Sequence, residues 1–282
     1  MKNILGIIGS PRKAGNSELL VKEICRNVTE EHILRLIRLP RLQIKPCRAC
    51  YKCITEDQCP IHDDFKLVMD NLKETDAIII AAPCYLLGPN ASIKLFLDRG
   101  LQFYTCLDQI WGKPAITVTV AGVEGQEGYT SAGLAILARF MGLDVKENAV
   151  FFGALPGEVL LDEKNKKRAA HLGRILFDNG YRKEQKDYLC PVCFSDIFQF
   201  LPGKRIKCMV CRHEGKISPV NGSFRIDIKP GQSSFFMTYK EAKEHKEWLK
   251  GMKERFLEKR TELKEVASNY TKDGIWIDRV EK

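Results

Sequence analysis

The chain has 282 residues, of which 44% are hydrophobic and 29% charged, and its formal net charge is +9. This composition is typical of an ordinary soluble protein, and the length suffices for one large domain or two smaller ones. No stretch approaches the roughly 20 apolar residues of a membrane helix, and the first apolar run is too short for a signal peptide, so we expect a cytoplasmic protein with no membrane partner.

Up to about residue 180, short apolar runs alternate with segments of helical periodicity. The pattern predicts strands over 3–8, 32–39, 76–83, 113–122 and 144–153. It predicts helices over 17–28, 63–75, 92–104, 129–142 and 162–180. Such alternation favours an α/β fold with a parallel sheet covered on both faces. Five strands in this order match a flavodoxin-like doubly wound sheet, with its ligand site beyond the carboxyl ends of the strands.

The pattern changes after a boundary that we place at 181–188. We therefore divide the chain into a first domain over 1–180, a small β module over 188–230 and an amphipathic helix over 238–267. The apolar seam of that helix, broken by Lys259, either packs on the body or pairs with another subunit. Its members are Ala242, His245, Leu249, Met252, Phe256, Leu263 and Val266. We expect His245 to be a packed residue rather than a ligand.

The loop "GSPRKAGNSELL" (9–20) follows the first predicted strand and offers several groups that suit a phosphate. Ser10 and Ser17 bring hydroxyls, Asn16 an amide and Arg12 a cation, and the following helix N-terminus favours an anion. The loop is neither a Walker loop nor a GxGxxG fingerprint. The alternative is a polar turn in which Ser17 or Asn16 caps the helix.

Eleven cysteines in a reducing compartment indicate metals or redox chemistry rather than disulfides. The stretch "PCRACYKCITEDQCP" (46–60) has the spacing Cys-x2-Cys-x2-Cys-x5-Cys, and its first three thiols are compact enough to wrap an iron–sulfur cube. A zinc site, or free or disulfide-forming thiols, are the alternatives. The four cysteines are Cys47, Cys50, Cys53 and Cys59.

A second set has the spacing Cys-x2-Cys-x14-Cys-x2-Cys, which is typical of a tetrahedral thiolate site on two facing hairpins. It consists of Cys190, Cys193, Cys208 and Cys211. Zinc in a structural ribbon is the favoured ion. Iron, as in rubredoxin, and a site without metal are the alternatives, although rubredoxin knuckles usually have glycine where Phe194 and Arg212 stand here. Basic and aromatic residues surround this set, but they suit a small module's core and rim equally well, so we do not expect a nucleic-acid partner.

The loop "GSPRKAGNSELL" resembles the FMN-phosphate loop of the NADPH-dependent FMN reductase family, whose members are flavodoxin-like flavoproteins. The segment "APCYLLGPNASIKLFLDR" (82–99) resembles the family's second FMN segment, and "VAGVEGQEGY" (120–129) occupies the place of the third. Pro83, Tyr85, Gly88, Lys94, Asp98 and Arg99 fit the second motif, whereas Ala82 and Cys84 depart from it. The resemblance implies FMN bound by Ser10, Arg12, Asn16, Ser17, Pro83, Cys84, Tyr85, Leu86, Gly88, Ala121, Gly122 and Val123.

Within that family, the cysteine stretch resembles the one in iron–sulfur flavoproteins. The resemblance implies a [4Fe-4S] cluster on Cys47, Cys50, Cys53 and Cys59, placed near the flavin of a neighbouring subunit, and hence a homo-oligomer. The expected function is an FMN-dependent oxidoreductase that passes electrons between a reduced donor and an acceptor, with NAD(P)H as a candidate donor. No side-chain acid or base is expected, because hydride transfer to flavin needs none.

Two alternatives remain. One is an NAD(P)H-dependent FMN or quinone reductase without a cluster. The other is a redox-sensing binding protein that uses the ribbon to dock on nucleic acid or protein. Cys25, Cys84 and Cys106 are expected to be packing residues.

Overall fold

The structure is a computed structural model that describes residues 1–220, 222–229, 231, 238–271 and 273–275. In the N-terminal part the strands are β1 (Lys2–Ile8), β2 (His32–Arg38), β3 (Ala77–Tyr85), β4 (Gly88–Pro89), β5 (Pro114–Ala121) and β6 (Asp144–Phe152). The helices there are α1 (Asn16–Arg26), α2 (Lys52–Thr55), α3 (Phe65–Glu74), α4 (Ala91–Asp98), α5 (Leu107–Ile110), α6 (Thr130–Phe140) and α7 (Glu163–Ile175). Short 3₁₀ segments lie at Leu39–Arg41, Gly100–Thr105 and Glu158–Leu160.

The main sheet is parallel, with strand order β2-β1-β3-β5-β6, and the two-residue β4 pairs antiparallel with β3. Alternate residues of β3 face opposite sides. Ile78 and Ile80 join the core that α3, α4 and α6 cover, whereas Ile79 and Ala81 join the core beneath α1 and α7. Burying both faces of the central strands explains why they are continuous apolar runs. The flavodoxin-like fold is confirmed.

The strand register brings the connecting loops to one edge of the sheet. Ile8 pairs with Ala81, Pro83 with Val120 and Ala121 with Phe152. The loops that follow β1, β3, β5 and β6 therefore lie side by side at the carboxyl ends of the strands, where a doubly wound sheet binds its ligand.

A separate antiparallel sheet follows, with the order β10-β9-β8-β7. Its strands are β7 (Phe198–Leu201), β8 (Arg205–Cys208), β9 (Glu214–Val220) and β10 (Ser223–Ile228). Its apolar residues pack against Ala132 and Ala135 of α6. An ion pair of 2.9 Å between Lys183 and Glu147 also joins the linker to β6.

The C-terminal segment forms α8 (Tyr239–Glu258) and α9 (Arg260–Ser268), and the break falls at Lys259, the residue that interrupts the predicted seam. A capping box begins α8, because the Glu241 amide donates to the Thr238 hydroxyl and the Thr238 amide donates to the Glu241 carboxylate. Ala242 and Leu249 are buried against the body, whereas Leu263 and Val266 are exposed. The first half of the seam thus packs on the body.

The predicted helix over 92–104 is wrong in its second half. α4 ends at Asp98, and residues Gly100–Thr105 form a 3₁₀ segment instead. The Arg99 amide donates to the Phe96 carbonyl at 3.2 Å, and the Gln102 amide donates to the Arg99 carbonyl at 3.0 Å. Both bonds join residues three positions apart, as in a 3₁₀-helix, and not four as in an α-helix. Within the described residues, no helix is long and apolar enough to cross a bilayer.

Candidate functional site

A cavity of about 230 Å³ lies at the carboxyl edge of the parallel sheet. It is lined by Ser10, Arg12, Gly15, Asn16, Ser17, Pro83, Cys84, Tyr85, Val120, Gly122, Gly153, Ala154 and Pro156. The structure thus brings together eight of the twelve residues that the sequence predicts for the flavin, from three separate loops. Leu86, Gly88, Ala121 and Val123 are outside this lining.

The phosphate-type loop offers this cavity a set of anion-binding groups. Gly15, Asn16 and Ser17 place the N-terminus of α1 at the cavity wall, where free amides and the helix dipole attract an anion. The Ser10 hydroxyl accepts a hydrogen bond from the Arg12 amide at 3.3 Å. Hydroxyls, a guanidinium and a helix N-terminus form a donor set that fits the FMN phosphate.

Arg38 and Glu18 hold this loop in shape, although sequence reasoning did not single them out. The Arg38 guanidinium donates to the carbonyls of Ser10 (2.9 Å) and Arg12 (2.5 Å) and to the Glu18 carboxylate (2.5 Å). Burial alone would raise the pKa of Glu18, but bonds from Lys22, Arg38 and the Ala14 amide outweigh it and lower the pKa to about 2. The two residues lie twenty positions apart, so spacing gave no signal for this contact.

Asn16 bridges two loops instead of capping α1. The residue at the cap position is Gly15, and no side chain there bonds the helix amides, so the polar-turn alternative with an Asn16 or Ser17 cap is wrong. The Asn16 amide donates to the Gly153 carbonyl at 2.9 Å and accepts from the Gly157 amide at 2.7 Å. It thereby fixes the loop after β6, which lines the cavity and which the sequence analysis missed.

The hairpin between β3 and β4 forms one rim of the cavity. Leu86 and Leu87 both have positive φ, 49° and 65°, which is uncommon for leucine and marks a strained turn. The Tyr129 amide bonds the Leu87 carbonyl at 2.8 Å, and a Cβ on Gly128 would lie 2.0 Å from that carbonyl. The hairpin is therefore pinned to the loop after β5, with Leu86 fully exposed beside the site.

The remaining predicted residues lie outside the cavity for simple reasons. Ala121 is buried as the last residue of β5, and Val123 is exposed. Gly88 faces Tyr129, whose hydroxyl would lie 2.5 Å from an added Cβ. Cys84, by contrast, lines the cavity. It is half-buried, and its thiol donates to the carbonyls of Gln126 and Glu127 at 3.3 Å each.

The first cysteine set lies in the irregular segment around α2. Cys47 and Cys50 are exposed, Cys59 is half-buried and Cys53 is buried. Left-handed backbone at Ala49, Tyr51 and Asp57 winds the loop tightly. Burial, followed by the charges of Cys59, Cys47 and Cys50, raises the pKa of Cys53 to about 11.

The four thiolate donors of this loop are chemically suited to an iron–sulfur cluster, and their sulfurs do not converge as closely as those of the second set. Among the described residues, the group whose thiols all lie within 4.8 Å of one another is the C-terminal one, not this loop. A cube spreads its cysteine ligands over a wider shell than one zinc ion does. The Ala49 amide already donates to the Cys47 sulfur at 3.4 Å, which is the kind of bond that supports a cluster ligand.

Helix α8 covers the inner side of this loop. Cys53 and Ile54 belong to one buried cluster with Tyr104, Ala242 and Leu249. The Lys246 ammonium donates to the Asp57 carboxylate at 2.6 Å, and Tyr104 Oη lies 2.6 Å from His245 Nδ1 in a hydrogen bond. His245 is therefore a packed residue, as the sequence predicts.

The second cysteine set converges on one point. Cys190, Cys193, Cys208 and Cys211 are all buried, and their sulfurs lie within 4.8 Å of one another. The Phe194 amide bonds the Cys190 carbonyl at 2.7 Å and the Arg212 amide bonds the Cys208 carbonyl at 3.0 Å. Phe194 and Arg212, the residues that follow the second cysteine of each Cys-x2-Cys turn, adopt φ of 59° and 64°. Each turn therefore has the left-handed backbone conformation at this position although the residue is not glycine. Four buried thiols at this separation fit a single tetrahedral ion.

The doubly wound sheet and its phosphate-type cavity define a flavodoxin-like cofactor-binding protein. The sequence profile of the family described as NADPH-dependent FMN reductase matches residues 2–155. The chain belongs to this family, whose members are FMN-dependent oxidoreductases.

Several relatives of the chain are named iron–sulfur flavoproteins. That of Methanocaldococcus jannaschii is 40% identical over 97 residues, which cover 34% of this chain and 50% of the relative. The chain thus spans about half the length of that relative. One from Archaeoglobus fulgidus is 28% identical over 187 residues, covering 65% of this chain and 84% of the relative. A solved structure described as a flavone reductase covers 99% of this chain and 100% of its own, with 20% identity and a TM-score of 0.76, and it shares the fold.

Proposed function

We propose that this protein is an electron-transfer oxidoreductase that passes electrons between a reduced donor and an acceptor through FMN and a [4Fe-4S] cluster. The observation that carries the proposal is the cysteine loop at 46–60, which places four free thiols on the short segment around α2, spaced more widely than the four sulfurs of the second set. The iron–sulfur flavoproteins among the relatives support it.

When bound, FMN accepts a hydride and releases electrons singly, and a cluster carries single electrons onward. The residues of the chain would hold and orient the flavin. Ser10, Arg12 and Ser17 would bind its phosphate, and Asn16 would keep the loop after β6 against it. The backbone of Pro83–Tyr85 and of 121–123 would contact the ring.

We propose that the protein acts as a homo-oligomer. No residue of the cysteine loop lines the flavin cavity of the same chain. Exposed apolar side chains, including Leu86, Val123 and Tyr129, stand around that cavity. A neighbouring subunit placed there would shield the flavin from water and bring its own cysteine loop close to it.

We propose that residues 188–230 form a zinc ribbon, separate from an FMN domain over 1–180. Four buried thiols on two left-handed knuckles favour zinc in a structural role. The module has a small core of its own and packs on α6, so a metal would contribute much of its folding free energy.

The experiment is anaerobic purification followed by analysis of iron, acid-labile sulfide, zinc and flavin per chain. We expect about four iron and four sulfide, one FMN and one zinc. The Cys53→Ser variant should lose iron and sulfide but keep FMN. Cys25→Ser is the matched control, because Cys25 is equally buried but lies on α1.

FMN and zinc without sulfide in the wild-type protein would refute the cluster. The function would then be that of an NAD(P)H-dependent FMN or quinone reductase. The exposed apolar rim of the cavity, with Tyr85 and Leu86, favours a flat apolar acceptor in that case. Anaerobic reduction by NADH and by NADPH, followed through the flavin absorbance, would identify the donor in either case.

A further inference from the structure

Arg99 is a buried cation that the flavin site does not use. Its side chain is 1% exposed, and it is absent from the lining of the flavin cavity. It ends the sequence motif that resembles the second FMN segment, but it lies just after the end of α4 at Asp98 and contacts the cysteine loop. A buried charge is costly unless it is paired and hydrogen-bonded, so its position calls for an explanation.

Several groups fix the Arg99 guanidinium in place. Nη1 donates to the Asp63 carboxylate at 2.6 Å and to the Lys45 carbonyl at 2.9 Å. The Phe65 ring lies 4.7 Å from its central carbon. Gln102, with its amide oxygen turned toward the guanidinium, accepts from Nε at 2.8 Å. The orientation of the cation is therefore determined by the fold and not by any ligand.

In this orientation the other nitrogen faces a thiol. Nη2 of Arg99 donates to the Gln102 amide oxygen at 2.7 Å. It also lies 3.5 Å from the Asp63 carboxylate and 3.5 Å from the sulfur of Cys59, in hydrogen-bond contact with both. Cys59 is the cysteine separated from the others by the longest spacing, and it also lines a cavity of about 400 Å³ together with Arg99 and Asp63. Among the cysteines of the loop, it is the one that receives a charged donor from the described side chains.

We propose that Arg99 is a positioning residue for the cluster, donating a charge-assisted N–H···S bond to the Cys59 thiolate and thereby raising the reduction potential of the cluster. The inference rests on the proposed function. One electron passed from reduced FMN would add one negative charge to a cluster held by this loop, with no bond formed or broken. A fixed cation and donor at a ligand sulfur stabilise that added charge, since hydrogen bonds to the sulfurs and local charge set such potentials.

The test is an anaerobic redox titration of the full protein, with the cluster and the flavin followed separately. For Arg99→Gln we expect at least a tenfold fall in the equilibrium constant for one-electron reduction of the cluster, which is about 59 mV. Arg99→Lys keeps the positive charge but loses the planar guanidinium with its several N–H donors, so the shift in cluster potential should be smaller. Arg48→Gln is the matched control, because Arg48 is an exposed cation of the same loop, and it should change the constant less than about threefold because water screens it. The flavin potential should not move in any variant.

A second measurement does not depend on how the Arg99 variants fold. With ¹⁵N-arginine incorporated, pulsed electron paramagnetic resonance of the reduced wild-type protein should show a ¹⁵N coupling to the cluster, and Arg48→Lys should retain it. An unshifted cluster potential in folded Arg99→Gln, or no ¹⁵N coupling in the wild type, would overturn the inference while leaving the proposed function intact. Absence of iron and sulfide from the wild type would instead refute the proposed function.

Discussion

Neutralising Glu18 should weaken the phosphate-type loop in a way that depends on pH. In Glu18→Gln, the amide can still accept from Ala14, but the ionic bonds from Lys22 and Arg38 are lost. The pKa of Glu18 falls from 4.5 to about 2 in the folded chain. At 1.36 kcal/mol per pKa unit, the ionised form contributes roughly 3 kcal/mol to the free energy of unfolding at neutral pH. Its side chain is 11% exposed, so solvent screening is limited.

The sign follows from the lowered pKa. The contribution is complete above the unfolded-state pKa near 4.5 and is lost as the pH falls toward 2. By pH 3, about 2 kcal/mol of it should be gone in the wild type. The variant should therefore be less stable by roughly 3 kcal/mol at pH 7 but by only about 1 kcal/mol at pH 3.

The assay is urea unfolding of both FMN-free proteins at the two pH values. Using the difference between variant and wild type at each pH cancels losses that both proteins share, such as metal release. Glu23→Gln on the same helix is the control, because Glu23 pairs with an exposed arginine, and it should cost less than about 1 kcal/mol. An equal destabilisation by Glu18→Gln at pH 7 and pH 3 would refute the reasoning.

Three further outcomes are expected. Asn16→Ala removes two hydrogen bonds to the loop after β6. The dissociation constant for FMN, measured by quenching of flavin fluorescence, should therefore rise about tenfold. An unchanged constant would contradict the bridging role of Asn16. Leu249→Ala should reduce the free energy with which α8 packs on the body by about 2–4 kcal/mol, and so speed alkylation of Cys53 in cluster-free protein. Leu263→Ala, which changes an exposed side chain, should leave the alkylation rate unchanged. Equal rates in the two variants would show that α8 does not cover the loop. Cys208→Ser should abolish zinc binding and the dispersed amide resonances of β7–β10. Cys106→Ser changes an equally buried thiol outside both cysteine sets and should leave zinc bound. A folded, zinc-loaded Cys208→Ser protein would exclude the proposed ligand set.

Local sequence patterns were sufficient to predict the parallel sheet and to assign the family. The apolar runs of β1 and β3 could be predicted from the sequence, because burial on both faces of the sheet favours consecutive apolar residues. The family assignment rested on the loop at 9–20 and the segment at 82–99, and it was confirmed. The flavin-contact residues, the cluster and the ribbon metal stay predictions.

Contacts between distant segments were not accessible in the same way. Asn16 looked like a helix cap, because its partners Gly153 and Gly157 lie more than 130 positions away. Arg99 looked like part of a regular helix, because its pairing with Asp63 and Cys59 leaves no periodic signal. The seam on α8 was recognised, but periodicity cannot say that its partner is the cysteine loop.

The docking of α8 over Cys53 has a consequence for how the protein is made. The cysteine loop ends at residue 60, whereas α8 begins at Tyr239, so at ordinary rates of synthesis the loop leaves the ribosome about ten to forty seconds before its cover exists. In that interval Cys53 is open to solvent and to any cluster donor. With Cys53 as a proposed cluster ligand, a chain that folds before loading would enclose that thiol, so the cluster would have to be loaded before α8 closes over the loop.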